Sequence, residues 1–241
     1  MNETADAYID WKQWDDSTFG RFTPLDALYY TAETGLTAGN PVRVLEIGFG
    51  NGGFLGWAKS LGAEVFGVET NPQLNARARG FFGTDRFVAS LEDATLTSGG
   101  NRFTHIVAFD VLEHIPQAEL PAVLRRVRTL LAPDGRFVAR FPNGDSPFGR
   151  INQHGDPTHV TTMGRGKLVY LARDAGLRLI EIRAPALPVE GVGLKRAVKR
   201  RLVGMGRYCI ERALSVLYFG GQRVQLDPNY LAILGRDGPD D

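Results

Sequence analysis

A single cysteine, Cys209, stands in a chain of 241 residues. With one thiol no intrachain disulfide can form, and a zinc site built on several thiolates is excluded. Such sparing use of cysteine suits a reducing compartment. Long apolar runs are also missing: no stretch approaches the ~18 apolar residues that suggest a membrane-spanning helix. The opening MNETADAYID lacks the basic region and apolar run of a secretory leader, so the expected location is the cytoplasm. Net charge is nearly absent. Lys and Arg number 28 against 27 Asp and Glu, leaving +1, so the molecule as a whole has no field that draws in nucleic acid, and no such partner is expected. Internal repeats and low-complexity segments are lacking too.

What is present is ordinary for a globular domain: 43% apolar and 23% charged residues, in a length that suits one α/β domain with additions. Short apolar runs alternate with helical patterns. Strands are expected at Val42–Ile47, Glu64–Val68, Arg86–Ala89, Thr104–Phe109, Arg136–Phe141, Leu177–Arg183 and Tyr230–Leu234. Helices are expected at Gly53–Leu61, from Pro72, at Leu120–Leu131, at Gly166–Ala175, and as one or two helices over Gly191–Tyr218. Pro133-Asp134-Gly135 reads as a turn ending the third of these. Near-continuous apolar strands alternating with helices imply a parallel sheet covered on both faces. Residues 1–40 read as a helical cap rich in aromatics (Tyr8, Trp11, Trp14, Phe19, Phe22, Tyr29, Tyr30), 41–143 as the core, 144–165 as a loop region and 190–220 as a basic helical insertion, all within one domain.

The stretch VLEIGFGNGG (Val44–Gly53) leaves the first strand through glycines. Loops at the carboxyl ends of such strands are where open α/β sheets bind ligands. Gly48 and Gly50 allow close backbone approach, and the next helix aims its first amides into the same space. Glu69, at the end of the second strand, is placed to take ribose hydroxyls of either a dinucleotide or another adenosine cofactor. Glu46 separates the two. A carboxylate two residues before Gly48 repels a pyrophosphate and attracts an ammonium group.

Five segments in order, VLEIGFGNGG, GVET, SLEDA, FDVLEHIP and LLAPDGRFVARFPN, resemble the class I S-adenosylmethionine-dependent methyltransferases. The resemblance covers about Val42–Asn143 and implies a Rossmann-like, doubly wound, seven-stranded sheet whose last strand is antiparallel. It implies S-adenosylmethionine as cofactor, held by Glu46, Gly48, Phe49, Gly50, Glu69, Thr70, Leu91, Glu92 and Asp110, with Phe19 reaching in from the cap. FPNGDSPFGRINQHGDPTHVTTMGRGKLVYLARDAGL looks like methyltransferases encoded with bacterial surface-polysaccharide synthesis. Pro142, Asn143, Asp156, Thr158, His159, Ala175 and Gly176 match, while Thr162-Met163 replaces a Phe-Thr. That similarity implies a sugar hydroxyl as acceptor.

Methylation of an alcohol needs alignment, exclusion of water and a route for the hydroxyl proton. Four histidines are available. His105 lies inside a strand and reads as structural. His159 is the first choice for a base, with His114 and His154 next, and Asp156 either orients a histidine or acts itself. Their spacing does not demand a metal, and none is expected. From Leu194 to Arg212 runs a basic amphipathic pattern, read first as a solvated face over a core-facing stripe or a subunit contact, and otherwise suited to phosphates of a nucleotide- or lipid-linked acceptor or to peripheral contact with an anionic membrane. The competing readings are a methyltransferase of a quinone-like or natural-product acceptor, an NAD(P)-dependent oxidoreductase, and a non-catalytic cofactor-binding module.

Overall fold

Thr23 begins the first long helix, α1 (Pro24–Thr34). Its hydroxyl accepts the Asp26 amide while the Asp26 carboxylate accepts the Thr23 amide at 2.8 Å, a reciprocal cap that satisfies two otherwise open donors. Pro24 fills the first turn, where no N–H is needed. This computed structural model describes residues 9–12, 14–15, 17–39 and 42–238. Tyr8 lies outside the described residues.

Seven strands follow: β1 (Arg43–Ile47), β2 (Glu64–Val68), β3 (Phe87–Val88), β4 (Phe103–Phe109), β5 (Leu131–Pro142), β6 (Leu177–Arg183) and β7 (Asn229–Arg236). They form one sheet in the order β3-β2-β1-β4-β5-β7-β6. The first five run parallel, and β7 inserts antiparallel between β5 and β6. The expected seven-stranded sheet with an antiparallel last strand is therefore observed. The helices are α2 (Gly53–Ser60), α3 (Pro72–Phe82), α4 (Leu91–Thr97), α5 (Leu120–Leu130), α6 (Gly149–Gly155), α7 (Arg165–Asp174) and α8 (Leu194–Tyr218).

The two-residue period of the strands splits the core. Leu45, Phe66, Ile106 and Phe137 pack with Leu124 of α5 and Leu168 of α7, while Val44, Val65, Val107 and Val138 pack with Leu55 of α2 and Leu74 of α3. Burial on both faces explains why these strands carry apolar residues almost throughout. It also makes each polar residue in them informative.

Two expectations change. Pro133-Asp134-Gly135 does not separate helix from strand. β5 already pairs at Leu131 with Phe103, and the ladder resumes at Arg136 opposite His105, so the turn residues form an irregularity within the strand. The segment 144–165 is not wholly irregular, since His154 lies on α6. Of the one or two helices expected over Gly191–Tyr218, the structure has one, the 25-residue α8 (Leu194–Tyr218). Among the described residues no helix is long and apolar enough to cross a membrane.

Candidate active site

The carboxyl ends of β1, β2 and β4 open into a cleft of about 1500 Å³. Its floor is the loop after β1. Gly48, Gly50 and Gly52 all have positive φ, at 67°, 48° and 68°, a region that costs other residues 1–2 kcal/mol or so. Space is a second constraint. A Cβ on Gly48 would lie 2.6 Å from Val111 Cγ2, and one on Gly50 would lie 2.6 Å from the Trp14 ring. The glycines therefore let Val111 and Trp14 close on the loop from either side, and both side chains line the cleft.

Glu46, on β1, also lines the cleft, although only 5% of it is exposed. Burial, and then the neighbouring charge of Glu69, hold its carboxyl well above the usual carboxylate range. Its Oε2 is buried without a hydrogen-bond partner. A buried carboxylate with an open oxygen is costly unless a ligand donor satisfies it. Glu69 is better supported: it accepts the Gly50 amide at 3.3 Å and the Asn71 amide at 3.1 Å, which sets its orientation at the end of β2.

Asp110 follows β4 with φ 57°, the one non-glycine residue with positive φ among those described. Arg140 of β5 grips it through two bonds, Nε to Oδ1 at 3.0 Å and Nη2 to Oδ2 at 2.5 Å. Burial, the largest single influence, would lower the Arg140 pKa, but Asp110 together with Glu33 and Tyr30 outweighs it and the net shift is upward. Phe49, Thr70, Leu91 and Glu92 complete the side of the cleft expected to hold the cofactor. Phe19 does not. It is 2% exposed, behind Gly52 and edge-on to Phe81 and Phe82. The cap reaches the cleft instead through Lys12, Trp14, Arg21, Tyr29 and Tyr30.

Of the four proposed acid–base residues, only His114 lines the cleft. It sits on a short 3₁₀ turn, Leu112–His114. The loop carrying Asp156 and His159 docks on that turn: the amides of Val160 and Thr161 both reach the Glu113 carbonyl at 2.9 Å. Asp156 Oδ1 accepts the Thr158 amide at 2.9 Å and the Thr158 hydroxyl at 2.5 Å. That hydroxyl lies 2.9 Å from His114 Nδ1. Burial opposes charge on Asp156, yet the two Thr158 bonds together with His159 and His114 outweigh it and its pKa is lowered. As a carboxylate it can only accept, so the Thr158 proton is committed to it, and His114 Nδ1 must be the donor to Thr158. Nε2 of a neutral His114 is therefore bare. Burial, then the neighbouring His159, lower the His114 pKa.

His159 stands behind His114, ring centroids 4.6 Å apart and 77° inclined. Its Nε2 is 3.9 Å from Glu113 Oε1 and 3.9 Å from Asp156 Oδ2. His154 is exposed on α6 and is not brought to the cleft. His105 is held inside β4, where burial first and Arg136 second push its pKa down to about 4. The residues that sequence reasoning missed are Arg140, Trp14, Tyr30 and Glu113. Arg140 had one signal, a lone cation in the apolar run FVARFP (Phe137–Pro142). Trp14 and Tyr30 had only the aromatic bias of the cap and Glu113 had none, because their roles depend on contacts made across the fold.

Residues 20–182 match a family described as a methyltransferase domain. The chain belongs to that family. The methyltransferase is 26% identical over 156 residues to the ubiquinone biosynthesis O-methyltransferase of Xanthomonas axonopodis pv. citri, a match covering 58% of this chain and 64% of that protein. Among solved structures, a SAM-dependent methyltransferase from Archaeoglobus fulgidus aligns with TM-score 0.56 and 23% identity over 82% of this chain and 87% of its own. A TehB-like SAM-dependent methyltransferase from Corynebacterium glutamicum aligns with TM-score 0.59 and 17% identity over 98% and 100%. Both of those solved structures are SAM-dependent enzymes, and the cleft here suits that cofactor. The open Glu46 oxygen suits an ammonium donor, and Glu69 is oriented for ribose hydroxyls. The acidic pair Glu46 and Glu69 at the ends of neighbouring strands disfavours a pyrophosphate there.

Proposed function

We propose that the methyltransferase transfers the methyl group of S-adenosylmethionine to a hydroxyl of a sugar or glycan-type acceptor. The observation that carries this reading is the bare Nε2 of His114, held at the cleft by the Asp156–Thr158 pair. A nitrogen lone pair in that position accepts the hydrogen bond of an acceptor O–H and orients its oxygen. The donor supplies an activated methyl on a sulfonium, so alignment and exclusion of water are the main tasks left to the chain. Ligand pockets are commonly 300–1,000 Å³ or so, and the volume here leaves room for a second molecule beside the cofactor.

Lys12, Arg21, Asp26, Tyr29 and Tyr30 line the cap side of the cleft. Hydrogen-bonding groups beside aromatic rings suit a polyhydroxylated ring, whose C–H faces pack on aromatics and whose hydroxyls need partners. The similarity of the 142–176 region to polysaccharide-associated methyltransferases points the same way. The second reading is a quinone-like phenol, favoured by the Xanthomonas relative. Incubation with S-adenosylmethionine and, in parallel, a panel of nucleotide sugars and a hydroxylated quinone head group separates them by mass spectrometry. A methylated sugar supports the reading. Turnover of the quinone alone replaces it.

A further inference from the structure

We propose that Glu113, His114 and His159 form a binding site for one borderline divalent transition-metal cation, of the zinc or cobalt type, beside the acceptor end of the cleft. One ligand atom from each of the three residues lies within 4.8 Å of the others. Both Glu113 carboxylate oxygens are buried without a partner, as is Nδ1 of His159. The Glu113 side chain is 1% exposed and the His159 side chain 9%. Burial first and Asp110 second disfavour charge on this carboxyl group; even as the neutral acid it leaves enclosed polar atoms unsatisfied, and a bound ion would satisfy both oxygens. The third donor is already prepared: His114 spends its Nδ1–H on Thr158, which in turn bonds Asp156. Metal-bound histidines characteristically have the other nitrogen fixed in this way. Two imidazoles and one carboxylate match the donor set of open zinc and non-haem iron sites, whereas magnesium and calcium prefer oxygen alone.

Because His114 lines the cleft, a cation on its Nε2 stands next to the acceptor and, when bound, takes the place of that lone pair as the partner of the acceptor oxygen. A coordinated hydroxyl loses its proton to solvent more readily. The acceptor oxygen then forms its bond to the methyl carbon while the carbon–sulfur bond breaks, the electron pair staying on sulfur. Cation binding itself does not depend on the methyl-transfer reading, although its part in the reaction does.

The test uses chelator-stripped protein and cobalt(II) chloride, read by visible absorption and equilibrium dialysis. One equivalent should bind. Glu113→Gln, which keeps the shape, and His159→Asn should each weaken binding at least ~10-fold, and Thr158→Val about 10-fold through His114. Binding of S-adenosylhomocysteine to the same variants, by calorimetry, should stay within about twofold and reports that the fold is intact. Absence of cobalt binding in protein that binds S-adenosylhomocysteine overturns the site, as does undiminished cobalt binding by the Glu113→Gln, His159→Asn double variant. Cobalt binding without S-adenosylhomocysteine binding would keep the site and sink the cofactor reading instead.

A separate observation concerns α8. From the outer face of this 25-residue helix project Leu194, Val198, Leu202 and Met205, the first of them 81% exposed. Their spacing of three and four residues puts them on one stripe. Lys195, Lys199 and Arg201, all exposed, flank it. The opposite face is tied down, by Arg200 to the Tyr29 hydroxyl at 2.7 Å and by Arg207 to Asp227 at 2.6 Å. We infer that α8 lies on an anionic bilayer, its apolar stripe in the interface and its cations at the headgroups. Charge complementarity selects this occupant, because the flanking cations would repel those of a second copy. Tyr29 lines the cleft, so this seat would bring the cleft mouth near a lipid-borne acceptor. Co-sedimentation with phosphatidylglycerol–phosphatidylcholine vesicles should exceed that with pure phosphatidylcholine. The Lys195→Glu, Lys199→Glu double variant should lose at least ~10-fold in binding, and Leu202→Glu should lose it while remaining folded. Equal binding to neutral vesicles, or dimerisation without vesicle binding, overturns the inference.

Discussion

Arg140 holds Asp110 through both arms of its guanidinium, at 3.0 and 2.5 Å, and Asp110 is held there at φ 57°. One residue closes β4 and the other comes from the neighbouring strand β5, so the pair clamps two strand ends into one edge of the cleft. Arg140→Met leaves Asp110 in an unfavourable backbone conformation without its partner. The expected cost is about 1–3 kcal/mol in stability, with about a tenfold loss of S-adenosylhomocysteine affinity measured by calorimetry. Arg140→Lys should recover only part of either, since an ammonium cannot make the two-armed contact.

Gly48→Ala meets two obstacles, positive φ and the 2.6 Å approach to Val111. Binding of S-adenosylhomocysteine should fall below detection. In the Gly48→Ala, Val111→Ala double variant the clash is gone but the φ penalty of about 1–2 kcal/mol remains. Partial recovery is therefore expected. Complete recovery in a calorimetric titration would show that strain at this position is unimportant.

Glu46→Gln should separate stability from binding. The folded-state pKa of Glu46 is raised, by burial first and Glu69 second. Above the ordinary value of 4.5 the unfolded chain has released this proton while the folded chain retains it, so stability declines as pH rises through that window. The glutamine variant escapes that decline. Without ligand, it should melt at or above the wild type at pH 8, with the difference shrinking toward pH 4.5. Its affinity for S-adenosylhomocysteine should nevertheless drop by about tenfold, because a charged partner of the ammonium is lost. A variant that is both less stable and equally tight would contradict the role assigned to Glu46.

His105 has the opposite sign. Its folded-state pKa is about 4 against 6.5, with the cation of Arg136 facing it and the Thr34 carbonyl opposing the shift. Between those values the unfolded chain binds the extra proton, so the contribution of His105 is complete above pH 6.5 and is lost as pH falls toward 4. The loss is about 3 kcal/mol at most. Urea denaturation of His105→Gln and wild type from pH 4 to 7 should give curves that diverge at the acid end, the wild type losing more.

Periodicity and punctuation made most of the sheet legible before any coordinates. Val44, Leu45 and Ile47 form a short apolar run that ends in glycines, and such a run in an α/β pattern has few other solutions. The residues expected to hold the cofactor share one origin, the carboxyl ends of consecutive strands, and the sheet topology carries them to one place. Glu46, Gly48, Phe49, Gly50, Glu69, Thr70, Leu91, Glu92 and Asp110 accordingly all line the cleft. Phe19 was misjudged because an aromatic residue in a cap has no period that tells core from ligand, and burial under Gly52 decided it. His159 and His154 both stood as candidate bases beside Asp156, with His159 first. They parted because 149–155 coils into α6 while the following residues dock on the carbonyl of Glu113.

The sequence by itself determined the alternation of strands and helices, the glycine loop and the acids at the strand ends. These are local properties, written in spacings of two to four residues and in the few positions where only glycine tolerates the backbone. Only the tertiary structure decided that Arg140 locks Asp110, that Thr158 sets the tautomer of His114, and that Glu113 is enclosed beside two imidazoles. Each of those depends on residues 30 to 46 positions apart meeting within a few ångströms. Chain packing alone determines such meetings, because burial and hydrogen bonding act through space and carry no local signature along the chain.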